Sequence, residues 1–186
     1  MDQQFFQVVF SVLSVVAGLG ALVLLAGLLP IGPLKRLRRA MRPWALRLGA
    51  LVAATAMVGS LYFSEVAHYT PCILCWYQRI SMYGLAIILV VAAIRRDLAI
   101  RPYAIALCGF GLGISLYHYG QELPVGRGAV ENFLGRSWWG GTDACGTGVP
   151  CSQVWYNRFG FVTLAFSAFT GFLAIFTLMT LGDSNE

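Results

Sequence analysis

Charged residues are scarce in this sequence. They make up 11% of the 186 residues, whereas soluble domains carry roughly 25%. Apolar residues make up 58%, and the mean hydropathy is +0.71. The chain also lacks any internal repeat, low-complexity tract or stretch polar enough for a soluble domain. These shortages exclude a soluble globular protein and predict an all-α integral membrane protein.

Positive residues are also missing ahead of the first apolar run, residues 8–29. A cleaved signal peptide has such residues, followed by an apolar stretch of roughly 7–15 residues. The run here is longer and can cross a hydrocarbon core of ~30 Å. We therefore expect a membrane span at this position and not a signal peptide.

Further apolar runs along the chain predict five membrane spans in all. Their expected ranges are 8–29, 44–66, 76–94, 102–119 and 159–181. Nine of the 13 Lys and Arg residues lie in two short segments on one side of these spans, and such segments normally face the cytoplasm. The nine are Lys35, Arg36, Arg38, Arg39, Arg42, Arg47, Arg95, Arg96 and Arg101. The expected topology is therefore N-terminus outside and C-terminus inside.

The net charge of +5 follows from the same two segments. Because the positive residues mark membrane topology and form no continuous basic face, we expect the lipid bilayer and not nucleic acid as the chain's surroundings. On the outside, residues 120–157 form a long glycine-rich loop, which favours backbone mobility. Within that loop, residues 130–139 fit either a short helix on the membrane surface or an irregular segment anchored by tryptophans.

The five cysteines form two close pairs and one single residue. The pairs are Cys72 with Cys75 and Cys145 with Cys151, and the single residue is Cys108. Both pairs are predicted to lie outside, where paired cysteines favour disulfide chemistry. Cys108 lies within an apolar run, where a thiol packs as a small hydrophobe, and we assign it no role.

Three interpretations of the two pairs remain open. They could form a redox enzyme, a structural protein with two inert disulfides, or a zinc site with four thiolates. The structural interpretation fits poorly, because a disulfide within Cys-x2-Cys closes a tiny loop and constrains the unfolded chain little. The zinc interpretation is disfavoured by the irregular spacing of the second pair in a glycine-rich loop. The redox interpretation is therefore favoured.

The first pair is expected at the beginning of a helix. Thr70 suits the N-cap, and Pro71 suits the first helical position. Cys72 and Cys75 would then lie in the first turn, where the helix dipole favours the reactive thiolate.

Arg79 follows Cys75 by four residues and lies inside a predicted span. Charged residues there are functional candidates, although a long arginine side chain can also reach the interface. Beside a quinone, its guanidinium would stabilise developing negative charge. His118 could hydrogen-bond the same ring or move a proton. Glu65 and Gln78 are weaker candidates, and Glu65 is expected to be solvated.

Four stretches together resemble the disulfide bond formation protein B (DsbB) family, in particular its Gram-positive branch, often called BdbC. They are P-C-I-L-C-W-Y-Q-R at 71–79, C-G-T-G-V-P-C at 145–151, Y-H-Y at 117–119 and N-R-F-G-F-V-T at 157–163. The resemblance covers roughly residues 46–181. It implies a four-helix membrane bundle that reoxidises a DsbA-like thioredoxin-fold thiol oxidase and passes the electrons to a membrane quinone, either menaquinone or ubiquinone.

The resemblance also implies roles for individual residues. Cys145 and Cys151 would exchange with the partner, and Cys72 and Cys75 would reoxidise that pair. Arg79 and His118 would lie beside the quinone. The site would face the extracytoplasmic side of the bacterial cytoplasmic membrane.

The sequence departs from the family in its first 43 residues, which add a span before the usual four. We therefore divide it into residues 1–43, an added helix with a basic loop, and residues 44–186, the four-helix bundle. The close spacing of the second cysteine pair is a further departure. The vitamin K epoxide reductase family also uses two cysteine pairs and a quinone, but there the loop pair comes first.

Overall fold

The computed structural model describes residues 3–27, 32–123 and 151–181. In chain order its α-helices are α1 (Gln3–Ala26), α2 (Gly32–Met41), α3 (Ala45–Leu61), α4 (Ile73–Arg95), α5 (Arg101–Glu122) and α6 (Leu164–Thr180). A 3-10 turn, Arg42–Trp44, joins α2 to α3, and a π-helical turn, Tyr62–Val66, extends α3. Across these described ranges the only strand-like pairing is an isolated bridge between Arg158 and Val162. The predicted all-helical architecture is confirmed.

Three helical segments within the described ranges are long and apolar enough to cross a membrane. They are Gln3–Ala26, Gly32–Val66 and Ile73–Arg95. The helix α5 coincides with the predicted fourth span but is not among the three, and α6 has only 17 residues. The five-span topology therefore stays a prediction.

The last helix begins later than the predicted span at residue 159. Arg158 and Val162 exchange two backbone hydrogen bonds of 2.9 Å, which close a tight turn. Thr163 then caps the helix, because its hydroxyl accepts from the amide of Phe166. Local turn and cap bonds, which a hydropathy pattern does not record, thus set this boundary.

The basic segment after the first span is helical, not the open loop that we expected. Its residues form α2, whose basic side chains are mostly exposed. Arg38 reaches back and donates to the backbone oxygen of Thr180 at 3.2 Å. A cation at the end of α6 satisfies one of that helix's unpaired carbonyls, which ties α2 to the bundle.

The helices α3, α4, α5 and α6 pack as a ring, in which each contacts two neighbours, and α1 lies along the outside of α6. Small residues allow the close approaches. Gly18 of α1 faces Thr170 of α6, and Gly111 of α5 faces the ring of Phe172. Among the largest fully buried side chains are Leu85, Leu89, Phe172, Ile175 and Met179.

Gly111→Ala is expected to destabilise the bundle by about 1–3 kcal/mol, the usual cost of overpacking. A methyl group at this position would collide with the Phe172 ring, which is itself fully buried. Gly113→Ala is the matched control, since it lies on the same helix with open space around its Cα. Thermal unfolding of the detergent-solubilised protein measures both, and equal midpoints for the two variants would contradict the packing described here.

Candidate dithiol site

The cysteine pair begins α4, but one predicted detail is wrong. Cys72, and not Thr70, is the N-cap: its backbone is extended, and its sulfur accepts from the amide of Cys75 at 3.4 Å. A thiol can replace a hydroxyl in this role, and Thr70 is left exposed. Cys75 lies in the first turn, as predicted. The helix N-terminus therefore faces both sulfurs, but the predicted stabilisation of the thiolate is wrong for Cys72, because the contact with Cys75 and burial outweigh the helix dipole and raise the pKa of that thiol.

The two sulfur atoms are already in contact. Cys72 Sγ and Cys75 Sγ are 3.0 Å apart, and Cys72 is only 3% exposed. A disulfide needs a separation of about 2.05 Å, so the pair can close with a small movement. Both are free thiols in this structure, as are Cys108 and Cys151.

Cys151 lies against the same helix end, within hydrogen-bonding reach of the Cys72 thiol. Its sulfur also accepts hydrogen bonds from the Ile73 and Leu74 backbone at the start of α4. Three sulfurs therefore meet at one helix N-terminus. Cys145, predicted as the partner of Cys151, lies outside the described residues, as do residues 130–139.

The pKa values of the Cys72 and Cys151 thiols are both raised, but for different reasons. The hydrogen bond with Cys72, followed by burial, raises the pKa of Cys151. For Cys72 the hydrogen bond with Cys151 lowers the pKa, but the bond with Cys75 and burial outweigh it and raise the pKa to about 12. Cys151 therefore acts as the hydrogen-bond donor of this pair, and negative charge is more stable on Cys72.

His118 contacts the dithiol directly. Its Nε2 is 3.7 Å from Cys72 Sγ, and its Nδ1 is 3.4 Å from Gln78 Oε1. Gln78 in turn donates to Ser115 Oγ at 3.2 Å. All four residues are buried, so these contacts fix the imidazole beside the sulfur. The ring is therefore placed to hydrogen-bond the Cys72 thiol.

Gln78 and Ser115 are the residues that sequence reasoning undervalued or missed. Gln78 follows Cys75 by three residues, and Ser115 precedes His118 by three, so each shares a helix face with a site residue. Polar residues three positions from a site residue, within otherwise apolar helices, were the sequence feature that could have identified both. Glu65, by contrast, is exposed, as expected.

A cavity of about 360 Å³ lies beside Cys75. Its apolar wall comes from α1, α3, α4 and α6 and includes Val52, Leu164 and Phe172. Cys75, Gln78 and Arg79 also line it, whereas Cys72 and His118 do not. The structure thus brings Arg79 together with Cys75, as the sequence suggested, but places His118 beside Cys72 and off this cavity.

The Arg79 side chain is held at the cavity by two contacts. Its guanidinium donates to the backbone oxygen of Ser60 at 3.2 Å and lies 5.6 Å from the centre of the Trp76 ring. The Tyr83 hydroxyl, which also lines the cavity, donates to Ser60 Oγ at 3.2 Å. Several polar groups thus line the cavity beside Cys75, as in pockets that orient an apolar ligand by a few polar contacts.

Geometry alone does not separate redox chemistry from metal binding. The candidate ligand atoms of Cys72, Cys75 and His118 all lie within 4.8 Å of one another. Thiolates and imidazole are also typical zinc ligands. Comparison with known proteins supplies the deciding observation.

Residues 42–131 match the family described as "Disulfide bond formation protein DsbB". A "Probable disulfide formation protein C" from Halalkalibacterium halodurans is 47% identical over 127 residues, which is 68% of this chain and 83% of that protein. The "Disulfide bond formation protein C" of Bacillus subtilis is 39% identical over 138 residues, which is 73% of this chain and 91% of that protein. The chain belongs to the DsbB family.

This DsbB-family protein is a membrane disulfide oxidoreductase, and its similarity to the Bacillus proteins confirms the resemblance to the BdbC-like branch. Family membership favours the redox interpretation of the cysteines over the inert-disulfide and zinc interpretations. It also decides against the vitamin K epoxide reductase alternative. No solved structure matches the chain.

Proposed function

We propose that this DsbB-family protein oxidises a DsbA-like thioredoxin-fold partner and delivers the electrons to a membrane quinone. One observation carries the proposal: the Cys72–Cys75 pair lies between the Cys151 thiol and an apolar cavity. Cys72 contacts Cys151, and Cys75 lines the cavity. A dithiol with a thiol on one side and an apolar site on the other is suited to pass electrons between a protein and a lipid-soluble acceptor.

The protein side of the reaction is a series of thiol–disulfide exchanges. A partner thiolate attacks the Cys145–Cys151 disulfide, and the second partner thiol completes the partner's disulfide, leaving Cys145 and Cys151 reduced. Cys151 then attacks Cys72 of an oxidised Cys72–Cys75 pair and releases Cys75 as thiolate. Attack by Cys145 on Cys151 frees Cys72. The net result is a reduced Cys72–Cys75 pair and a restored outer disulfide.

His118 is positioned to hydrogen-bond the Cys72 thiol in this scheme. His118 contacts Cys72 and is held in place by Gln78. We assign His118 to this contact, which differs from the position beside the quinone that the family resemblance implied. Because the ring is buried, a charged imidazolium is disfavoured, and the neutral ring orients the thiol without storing its proton.

The cavity fits the acceptor that the family implies. Ligand sites commonly measure roughly 300–1,000 Å³ and are mostly apolar, and this one measures about 360 Å³. A bound quinone would supply the chemistry of accepting two electrons and two protons. The chain's own contributions are the Cys75 sulfur as donor and the Arg79 guanidinium, which stabilises negative charge at the cavity wall.

The arrangement of charge supports the extracytoplasmic placement of the site. The cysteines lie at the N-terminal end of α4, and Arg95 and Arg96 lie at its C-terminal end, 23 residues away. At 1.5 Å per residue the two ends are about 35 Å apart, roughly the thickness of a bilayer core. With positive residues on the cytoplasmic side, the dithiol faces out. We therefore propose five spans in the bacterial cytoplasmic membrane, with residues 1–43 added to a bundle of residues 44–186.

The proposal is tested with the purified protein in detergent, a reduced thioredoxin-fold partner and a quinone. We expect one quinone reduced for each partner disulfide formed, followed by quinone absorbance and by partner thiol titration. Metal analysis of the same sample addresses the zinc alternative. Stoichiometric zinc, together with a partner that stays reduced, would overturn the proposal.

Arg79→Ala is expected to raise the apparent KM for quinone about tenfold or more, because a hydrogen bond to a charged group contributes roughly 1.5–3 kcal/mol. Arg47→Ala is the matched control: Arg47 also lies over a tryptophan, at 5.3 Å from the Trp44 ring, but it does not line the cavity. Steady-state rates at varied quinone concentration give both values. An unchanged KM for Arg79→Ala would mean that Arg79 merely reaches toward the membrane surface.

A further inference from the structure

The N-terminal helix α1 lies outside the family match. The match begins at residue 42, after α1 and α2. However, α1 packs on the side of the bundle that contains the cavity. Five of its residues line the cavity that reaches Cys75 and Arg79: Phe10, Leu13, Ser14, Val16 and Ala17.

The outer end of α1 is fastened beside both cysteine segments. Gln7 donates to the Tyr69 hydroxyl at 2.7 Å, three residues before Cys72. Arg158, seven residues after Cys151, donates to Gln7 Oε1 at 2.8 and 3.2 Å. A single side chain of α1 therefore links the segments that lead to and from the thiols.

Aromatic contacts close the same end of the cavity. The Phe10 ring lies over Gly59 of α3, where a side chain would leave it no room. Phe6 stacks on Tyr62 with ring centres 4.0 Å apart, and Phe10 meets Phe63 edge-on at 5.6 Å. The cavity-lining residues of α1 that are more exposed lie further along the helix.

An opening is visible lower down, between α1 and α3. Leu13 and Val16 of α1 and Leu51 of α3 all line the cavity, yet they are 44%, 61% and 63% exposed. Side chains that border a cavity and the outer surface at once mark its entrance. These three are aliphatic and belong to the segments that can cross a membrane, so the entrance faces hydrocarbon and not water.

We propose that α1 forms a wall of the acceptor cavity and, with α3, the entrance through which a quinone with a polyprenyl tail reaches Cys75 from the bilayer. This inference rests on the proposed function. The apolar entrance suits the tail, and the polar groups near Cys75 suit the ring. α1 thereby controls access for the acceptor, a role separate from that of a simple membrane anchor.

Labelling of the unmodified protein tests the position of α1 without relying on turnover. An azido-quinone with a polyprenyl tail is photolysed with the full chain in detergent, and the labelled peptides are found by mass spectrometry. We expect label within residues 3–26 as well as in α3 or α4, competed by excess unlabelled quinone. Competed label confined to other helices would overturn the proposal.

Variants then test the entrance. Val16→Trp and Leu13→Trp should each narrow it, raise the apparent KM for a long-tailed quinone at least threefold, and affect a tail-less quinone less. Leu19→Trp is the matched control, since Leu19 is 59% exposed on the same helix and does not line the cavity. Its kinetics and label yield should equal those of the unmodified chain.

The outcomes separate this inference from the function on which it rests. If the unmodified protein reduces no quinone, the proposed function fails. If it does reduce quinone, but both tryptophan variants behave like Leu19→Trp, the entrance is elsewhere and only the inference fails. Unfolding midpoints for all three variants identify any that lose the fold, and the labelling result stands without them.

Discussion

Replacing Cys75 with serine is expected to lower quinone-coupled oxidation of the partner about 10³-fold or more, the scale on which enzymes lose activity when an essential nucleophile is removed. The Cys72 thiolate of this variant should also attack Cys151 of the outer Cys145–Cys151 disulfide and release Cys145, so that a Cys72–Cys151 disulfide accumulates. Cys75 is the sulfur that lines the cavity, and a serine hydroxyl cannot replace it in a two-electron thiol oxidation. With Cys75 gone, Cys72 keeps its contact with Cys151 and has no closer thiol among the described residues.

The readouts for this variant are partner thiol titration and disulfide mapping by mass spectrometry under acid quench. Cys108→Ala is the matched control, because Cys108 is a fully buried thiol in the bundle core. Its activity should remain near that of the unmodified chain. Wild-type turnover by Cys75→Ser would contradict the proposed transfer of electrons through Cys75. A trapped disulfide that does not include Cys72 would show that electrons do not pass between Cys151 and Cys72.

Much of this site follows from local sequence. Scarce charge predicts the apolar helices, and the Pro-Cys-x2-Cys stretch predicts a dithiol at a helix start, because capping and helix dipoles act over a single turn. The four-residue spacing likewise predicts that Cys75 and Arg79 share a face. The error at Thr70 is equally local: the chain offers two possible cap acceptors two residues apart, and the Cys72 sulfur takes the role that the Thr70 hydroxyl was expected to fill.

What the sequence did not predict depends on contacts between distant segments. Hydropathy marks residues 8–29 as a span but does not say which neighbour the span packs against. The close approaches at Gly18 and Gly59 set that position, and with it the cavity wall. His118 likewise could face the cavity or the dithiol, and its partner Gln78, forty residues away, fixes the choice.

The substitution Cys151→Ser should block electron transfer from the partner but preserve electron transfer from the Cys72–Cys75 pair to quinone. Electron transfer from the partner should fall below about 1% of the normal rate, because without Cys151 the outer disulfide that accepts the partner's electrons cannot form. Electrons from a small dithiol such as dithiothreitol should still reach quinone, since Cys72, Cys75 and the cavity are unchanged.

The measurement compares quinone reduction with each of the two donors, and gel analysis without reductant should show no mixed disulfide between the reduced partner and this variant. Ser152→Ala, the adjacent position, is the control and should retain both activities. Full partner oxidation by Cys151→Ser would mean that the order of transfer is wrong. Loss of both activities would instead mean that Cys151, which accepts backbone hydrogen bonds from Ile73 and Leu74, is needed to hold the end of α4 in place. The donor comparison thus distinguishes a sulfur that carries electrons from one that only supports the helix on which the dithiol depends.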